Sequence, residues 1–346
     1  MSYMNIRTPR IYPDMINYLL NRGVAQNGNF DVLATDDGAY KMGTFTTGSE
    51  PELFDMKPLN KCTFDTSADP DGHVMINIDL QQSYKTSFVA ILNHNMESAD
   101  AKVLIKSSNT EAHIQAVDMG SATAMDTPVE VINADAISSS IITPATDGST
   151  IVRYANTNHR YWGIQFEGDS SNTFGSTDLF VGCILIGEYY DMSHAPDLSV
   201  NRSISFDGMN KVQQSVGGQR YSNMSNHGRQ SLSASLSPFT LKLVGGEYEA
   251  YGGRITYDLN FSFLNSGYVM PDEYRYWAGS FDATVEDMWH ITHGSHTPFI
   301  FSIDKDSEGD TAESEHIFAR WGQDSLNMTQ VANDFFNISM RIEEEF

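Results

Sequence analysis

The sequence has 346 residues, 11% of them aromatic and 19% charged, with 45 Asp and Glu against 21 Lys and Arg and a formal net charge of −24. A surface this acidic repels phosphate backbones and anionic lipid surfaces, which excludes nucleic acid as a partner. No apolar stretch approaches the ~18 residues that a helix needs to cross a membrane. The length exceeds the size at which one hydrophobic core usually stops growing, which predicts two domains.

The first predicted element is a helix within the segment IYPDMINYLLNRG. Its apolar residues recur at spacings of three and four, Pro13 suits a first helical position, and Gly23 suits the residue just past the end. We assign residues 1–25 to an N-terminal arm that carries this helix. The arm either covers an open end of the following domain or holds a neighbouring subunit, because a two-turn helix needs a packing partner in both cases.

A first β-domain is predicted at residues 26–192. Apolar and polar residues alternate in HVMINIDL and RYWGIQFE, as in strands with one buried face, whereas FVAIL and LFVGCILIG are apolar on both faces. Asp-Gly turn signals recur between these runs. Many short strands separated by such turns indicate a sandwich or a barrel.

Within this domain, FVAILNHNMESADAKVLIKSS predicts a hairpin, because Asn and Asp are common turn residues. His94 then lies at a strand end without a second ligand or catalytic partner at a suitable spacing nearby. We therefore assign His94 no chemistry, since a site requires geometry with a partner. Trp162 alternates with Ile164 and Phe166, which favours a core position over a role in stacking on a sugar.

After a linker at about 189–206, a second β-rich domain is predicted at residues 193–346. Alternating apolar residues form one face in GRITYDLNFSFL, from Ile255 to Phe263, and the pattern returns in DFFNISMRIEEE, which is typical of an antiparallel sheet with one solvent-facing side. Helical spacing between Pro271 and Gly294 predicts one or two short helices. The predicted fold class is mainly β, with two antiparallel β-sandwich or jelly-roll-like domains, a short N-terminal helix and these C-terminal helices.

The acidic loop DKDSEGDTAESE is the best candidate for an ion site. Aligned with a calcium loop of the EF-hand type, it supplies carboxylates at Asp304, Asp306, Glu308, Asp310 and Glu315. Glu308 stands where Asp or Asn is usual, and the flanks PFIFSI and HIFARW predict strands where an EF-hand has helices. A solvated acidic hairpin loop is the preferred interpretation, and Ca²⁺ binding is the alternative.

The sequence contains no G-x-S-x-G elbow, no phosphate-binding glycine loop and no C-x-x-C pair. Cys62 and Cys183 are too few for a disulfide framework or a four-ligand zinc site, and HITHGSH lacks the intervening Glu of a helical zinc motif. Carboxylates are too abundant in so acidic a chain to nominate a catalytic pair. We expect a protein that is not an enzyme, has no cofactor, and is made in a cytoplasm because its N-terminus lacks a signal peptide.

Several of these segments resemble tail proteins of tailed bacteriophages. SFVAILNHNMESADAKVLIKSS, RYWGIQFEG and TDLFVGCILIGEYYDM resemble their galactose-binding-like jelly rolls, and SFDGMNKVQQSVGGQRYSN, TPFIFSID and FFNISMRIEEEF are similar to their C-terminal part. The resemblance implies a virion structural subunit of the tail tip or baseplate, of the minor or distal tail protein type, assembled in the host cytoplasm. It implies copies of the same chain and other phage tail proteins as partners.

The alternative function is a carbohydrate-binding module, with or without calcium, that attaches the particle to a host surface glycan. Carbohydrate-binding relatives of this jelly roll hold sugar or calcium in loops at one end of the sandwich. Glycan affinity that is abolished by a chelator and by Asp304→Ala would favour this alternative. A third hypothesis, a hydrolase on a β-scaffold, is supported only by the abundance of carboxylates.

Overall fold

The computed structural model describes residues 6–21, 30–33, 45–68, 70–134, 136–138, 140–205, 212–222, 239, 243–244, 247–248, 254–271, 283–309 and 312–345. Within these residues the protein is mainly β, all strand pairings between named strands are antiparallel, and the helices are short, which confirms the predicted fold class. No helix in this part of the chain is both long and apolar enough to cross a membrane.

Eleven strands form a sheet that we call the N-terminal sheet. Its strand order is β3-β4-β12-β5-β11-β6-β10-β9, with β2 paired to β5, β7 to β6 and β8 to β11. The two long strands β5 and β11 pair along most of their length, and the other strands assemble on either side of them. The strands are β2 Phe30–Leu33, β3 Phe45–Thr47, β4 Cys62–Phe64, β5 Val74–His94, β6 Ala101–Ser108, β7 Thr123–Ala124, β8 Val129–Ile132, β9 Ala136–Ile137, β10 Ile141–Thr143, β11 Gly148–Gly168 and β12 Phe180–Gly187.

Eight strands form a second sheet, the C-terminal sheet, in the order β13-β1-β20-β21-β23-β19-β14, with β22 paired to β23. The strands are β1 Arg10–Pro13, β13 Tyr190–Asp191, β14 Asn201–Ser205, β19 Arg254–Asn265, β20 Phe299–Ser302, β21 His316–Trp321, β22 Met328–Ala332 and β23 Phe335–Glu344. Two separate hairpins join β15 Val212–Gln214 to β16 Arg220–Ser222 and β17 Leu243–Val244 to β18 Glu247–Tyr248.

The described helices are α1 Met15–Asn21, α2 Ala112–Gln115, α3 Ser266–Val269 and α4 Val285–Ile291, with 3-10 turns at Glu50–Phe54, Val117–Met119 and Ala312–Glu315. Helix α4 begins with a capping box, in which Thr284 and Asp287 bond to each other's backbone N–H groups. It lies within the segment that predicts one or two helices, while residues 272–282 of that segment lie outside the described residues.

The predicted hairpin around His94 is wrong. Strands β5 and β6 do not pair with each other, because both pair with β11, which lies between them. The six residues after His94 therefore cross over a third strand and do not reverse the chain within a two-stranded unit. Local turn residues look the same in both arrangements, so the sequence pattern could not separate them.

The N-terminal segment belongs to the C-terminal sheet, because β1 pairs with both β20 and β13. Pro13 is the last residue of β1 rather than the first of the helix, and α1 begins at Met15. The buried carboxylate of Asp14 accepts hydrogen bonds from the N–H groups of Asn17 at 2.9 Å and of Ile186 in β12 at 3.2 Å. Burial raises the pKa of Asp14 to about 6. The start of α1 is thereby bonded to the N-terminal sheet.

The two sheets pack against each other through buried side chains. Tyr12 of β1 contacts Phe88 of β5 edge-on, with ring centroids 5.0 Å apart, and belongs to a buried cluster with Leu185, Ile300 and Phe318 from the two sheets. A larger buried cluster also contains residues from both sheets and from α1. The division into an arm at residues 1–25 and domains at 26–192 and 193–346 stays a prediction.

Candidate functional site

His94 is a buried structural residue in this fold. Its Nδ1 accepts a hydrogen bond from the Met96 N–H at 3.3 Å, so Nε2 carries the proton and donates it to the Thr150 hydroxyl at 2.8 Å. The same hydroxyl donates to the Asn133 carbonyl at 3.0 Å. Both ring nitrogens are thus satisfied by the protein, which agrees with assigning His94 no chemistry.

Burial lowers the pKa of His94 from 6.5 to about 3. Because the unfolded chain binds this proton at a higher pH than the folded chain, the stability contributed by neutral His94 is complete above pH about 6.5 and is lost as the pH falls towards 3. We expect NMR of the imidazole to show the neutral Nε2–H form at pH about 5. Titration of His94 with a midpoint near its ordinary value would contradict the buried geometry.

The acidic loop lies between β20 and β21, which pair as the flanking sequences predict. Asp304 is buried, accepts a hydrogen bond from the Asp306 N–H at 3.0 Å, and lies 3.6 Å from the Arg7 guanidinium. Glu308 accepts a hydrogen bond from Arg153 Nε at 2.7 Å. Arginines from two other segments therefore already pair with two of these carboxylates.

Glu315 lies at the end of the 3-10 turn before β21, and Asp310 lies outside the described residues. Within the described part of the loop, no three carboxylates come close enough together to hold a metal ion. The Ca²⁺ site formed by Asp304, Asp306, Glu308, Asp310 and Glu315 stays a prediction.

The C-terminal sheet has a solvent-facing side that we call the open face, defined as the outward side chains of β14, β19 and β23. Along β19 and β23, apolar residues point inward and are buried, while the alternate residues point outward and are polar. The polar outward residues include Asn201, Asp258, Asn260, Ser262, Asn337 and Ser339, and further along β23 the ion pair of Arg341 and Glu343. This confirms the predicted alternation between a buried and a wet side.

Hydrogen bonds hold these polar side chains in rows across the open face. Ser339 donates to Asn260 Oδ1 at 2.7 Å, Asn201 donates to Asp258 Oδ2 at 3.1 Å, and Ser262 donates to Asp197 Oδ2 at 2.7 Å. Amides, hydroxyls and carboxylates in this arrangement still have free donor and acceptor capacity towards solvent. The open face can therefore bind a ligand that carries many hydroxyl groups.

Two aromatic side chains are exposed at one end of the open face. Phe263 is 64% exposed and Phe335, the first residue of β23, is 38% exposed. Phe335 pairs with Asn265 of β19, and the Phe263 N–H donates to Asn337 Oδ1 of β23 at 3.0 Å, so the two residues lie at the same end of neighbouring strands. Together they supply an apolar surface beside the polar rows.

The prediction that Phe263 continues the buried face of β19 is wrong. The pairing of β19 with β23 is irregular between Phe261 and Leu264, and Phe263 adopts a left-handed conformation with φ of 59°. This bulge returns Leu264 to the core and leaves Phe263 exposed. In the first domain Trp162 is buried, as its alternation predicts, and cannot stack on a sugar.

No family model and no curated protein sequence matches the chain. Among solved structures, a pectin-binding carbohydrate-binding module is 12% identical, with a TM-score of 0.26, over 45% of this chain and 90% of that chain. CpGH89CBM32-6, produced by Clostridium perfringens, is 13% identical, with a TM-score of 0.24, over 47% of this chain and 96% of that chain. TM-scores and sequence identities this low support no statement about function. The proposed function therefore rests on the residues of the open face.

Proposed function

We propose that the chain is a non-catalytic carbohydrate-binding protein whose open face receives a neutral glycan. The observation that carries the proposal is the exposure of Phe263 and Phe335 beside a row of Asn, Ser and Asp side chains on the open face. Exposed apolar groups rimmed by polar residues mark interaction sites on protein surfaces.

A sugar ring has apolar C–H faces and a rim of hydroxyl groups, which matches the two parts of this surface. The phenyl rings of Phe263 and Phe335 can cover a ring face, and water leaves both apolar surfaces on contact. Side chains such as Asn260 and Ser339 can exchange hydrogen bonds with the hydroxyl rim. These contacts require no ordered metal and no reacting group.

The conformation of Phe263 supports a functional role. Aromatic residues rarely adopt a positive φ, because such backbone strain costs about 1–3 kcal/mol and persists only where the surrounding structure imposes it. At φ of 59° the Phe263 side chain is exposed to solvent and contributes little to the core. A strained backbone that exposes an aromatic ring is expected where that ring makes contacts with a ligand.

The negative charge of the protein limits the class of glycan that it can bind. The chain has a formal net charge of −24, Asp197 and Asp258 lie along the open face, and the guanidinium of Arg341 on that face is paired with Glu343 at 2.8 Å. A polysaccharide that carries carboxylates or sulfates would be repelled. We therefore propose neutral glycans as ligands.

The experiment is a glycan array probed with the full chain and with two single variants, Phe263→Ala and Tyr221→Ala. Tyr221 is the matched control, because it is 58% exposed but lies on the separate hairpin of β15 and β16. We expect binding to neutral glycans that Phe263→Ala weakens and Tyr221→Ala preserves. Binding confined to acidic glycans, or equal loss in both variants, would contradict the proposal.

A second candidate function is a virion structural subunit of a phage tail tip or baseplate, which acts through contacts with copies of itself and other tail proteins. The observation that favours it is the edge strand β14, which in the described residues pairs with β19 alone and leaves its other main-chain edge open. Leu198 and Ile204 beside that edge are exposed. An open edge with apolar neighbours is a template for pairing with another chain.

Gold-labelled antibodies on negatively stained particles from a lysate test this second candidate. Label at the end of the tail is expected if the chain is a tail-tip subunit. Label on projecting fibres would fit glycan attachment instead. Intact particles without label would remove the virion assignment and leave the glycan-binding proposal to be tested alone.

A further inference from the structure

A group of three metal-ligating side chains lies on the N-terminal sheet, away from the open face. His73, Asp118 and Glu167 each place a ligand atom within 4.8 Å of the other two. It is the one group of this kind in the part of the chain that the structure describes. We propose that these residues bind a divalent transition metal of the zinc class, independently of the glycan-binding function.

Strand pairing brings two of the ligands together. Val74 and Phe166 are register partners in β5 and β11, so His73 and Glu167 are neighbours at the ends of adjacent strands. Both side chains are buried, and a hydrogen bond joins His73 Nε2 to Glu167 Oε2 at 3.2 Å, which a bound ion would replace. Zinc bonds of about 2.0–2.1 Å at a tetrahedral angle place neighbouring ligand atoms about 3.3 Å apart, so this spacing fits an ion between them.

Asp118 comes from the 3-10 turn Val117–Met119, which hydrogen bonds fix near the other two ligands. Asp118 has a left-handed backbone with φ of 60°, and its N–H donates to Gln165 Oε1 at 3.0 Å. Lys106 donates to the carbonyl of Asp118 at 2.7 Å. Asp118 itself is exposed, so its carboxylate can reach an ion while a fourth position stays open to water.

Gln165 and Lys102 complete the polar surroundings. Gln165 Nε2 donates to Glu167 Oε2 at 3.1 Å and to Asp118 Oδ1 at 3.4 Å, so one amide bridges the two carboxylates. Lys102 Nζ pairs with the other oxygen of Glu167, Oε1, at 3.3 Å. Partners of this kind orient ligating carboxylates, and the lysine charge also competes with a bound cation.

The donor atoms of these three side chains determine which metal ion fits the site. An imidazole nitrogen with two carboxylates suits Zn²⁺ and similar transition metals, whereas Ca²⁺ takes six to eight oxygen ligands and does not use imidazole. This assignment separates the site from the acidic loop, where all the candidate ligands are oxygens. Zinc should therefore bind here in preference to calcium.

The test is isothermal titration of the chelator-treated full chain with zinc chloride and, separately, with calcium chloride. We expect one zinc ion per chain, and a loss of affinity of at least about tenfold in His73→Gln and in Asp118→Asn. Lys102→Met should bind zinc more tightly, because it removes a competing positive charge. Asp306→Asn, which changes an exposed carboxylate in the acidic loop, is the matched control and should leave the affinity unchanged.

If the buried variant His73→Gln does not fold, Asp118→Asn still tests the site. Asp118 is exposed, so this substitution should leave the fold intact. The proposal is overturned if zinc does not bind, if binding persists in Asp118→Asn, or if calcium binds more tightly than zinc. A polar network with a structural role alone would instead show no zinc binding and a lower melting temperature in Lys102→Met.

Discussion

Tyr12→Ala is expected to lower the free energy of unfolding by about 3–5 kcal/mol, the usual range for truncating a large buried aromatic residue. Tyr12 lies on β1, in the C-terminal sheet, and its ring contacts Phe88 of the N-terminal sheet at a centroid distance of 5.0 Å. It also lies 6.1 Å from the ring of Tyr189. Its removal would open a cavity where the N-terminal segment joins the two sheets.

Urea denaturation of the purified chain measures this loss. Tyr221→Ala is the control, because Tyr221 is exposed on a separate hairpin and surface substitutions usually stay within about 0.5 kcal/mol. Equal effects of the two substitutions would show that β1 does not hold the sheets together. A transition that splits into two steps in Tyr12→Ala would show instead that the sheets can unfold separately.

The double variant Phe263→Ala, Phe335→Ala is expected to weaken glycan binding by about 30–100-fold, which corresponds to about 2–3 kcal/mol. Both rings are exposed in the free protein, so their removal should cost little stability while the ligand loses its apolar contacts. Isothermal titration with a glycan selected on the array measures the dissociation constants of the variant and the parent chain.

The matched control for the double variant is Tyr221→Ala, whose dissociation constant should equal that of the parent chain. Ser339→Ala on the open face should have a smaller effect than the aromatic pair, because a single hydrogen bond contributes about 0.5–1.5 kcal/mol. Unchanged affinity in the double variant would place the glycan elsewhere on the molecule.

Much of the strand pattern could be predicted because one side of each strand is buried. The alternation in GRITYDLNF and in DFFNISMRI gives the inward and outward residues of β19 and β23 correctly. The flanks of the acidic loop likewise predict the pair β20 and β21. These predictions rest on the burial of alternate side chains, which appears in the sequence as an alternation of apolar and polar residues.

Other features depend on contacts between distant segments. A short strand before Pro13 has no signal of its own, and β1 forms because β20 and β13 offer edges on both sides. The bulge at Phe263 breaks an alternation that the sequence letters continue, so only the pairing with β23 exposes it. The Asn and Asp residues that predicted a hairpin after His94 did not reveal that β11 lies between β5 and β6.

The candidate sites also depend on contacts between distant segments, so the sequence alone does not reveal them. Phe263 and Phe335 lie far apart in the chain and become neighbours only through β19 and β23. His73, Asp118 and Glu167 come from three segments without any ligand spacing in the sequence. Of these residues only Phe335 has a signal in the sequence, because the alternation along β23 places Phe336 on the inward side and leaves Phe335 on the outward side.

The most direct test of the glycan-binding account is a crystal structure of the full chain with the array-selected neutral glycan. The account predicts a sugar ring against Phe263 or Phe335, with hydroxyl groups bonded to the Asn and Ser side chains of the open face. A glycan bound in the acidic loop or at an end of the N-terminal sheet, with the open face empty, would contradict it.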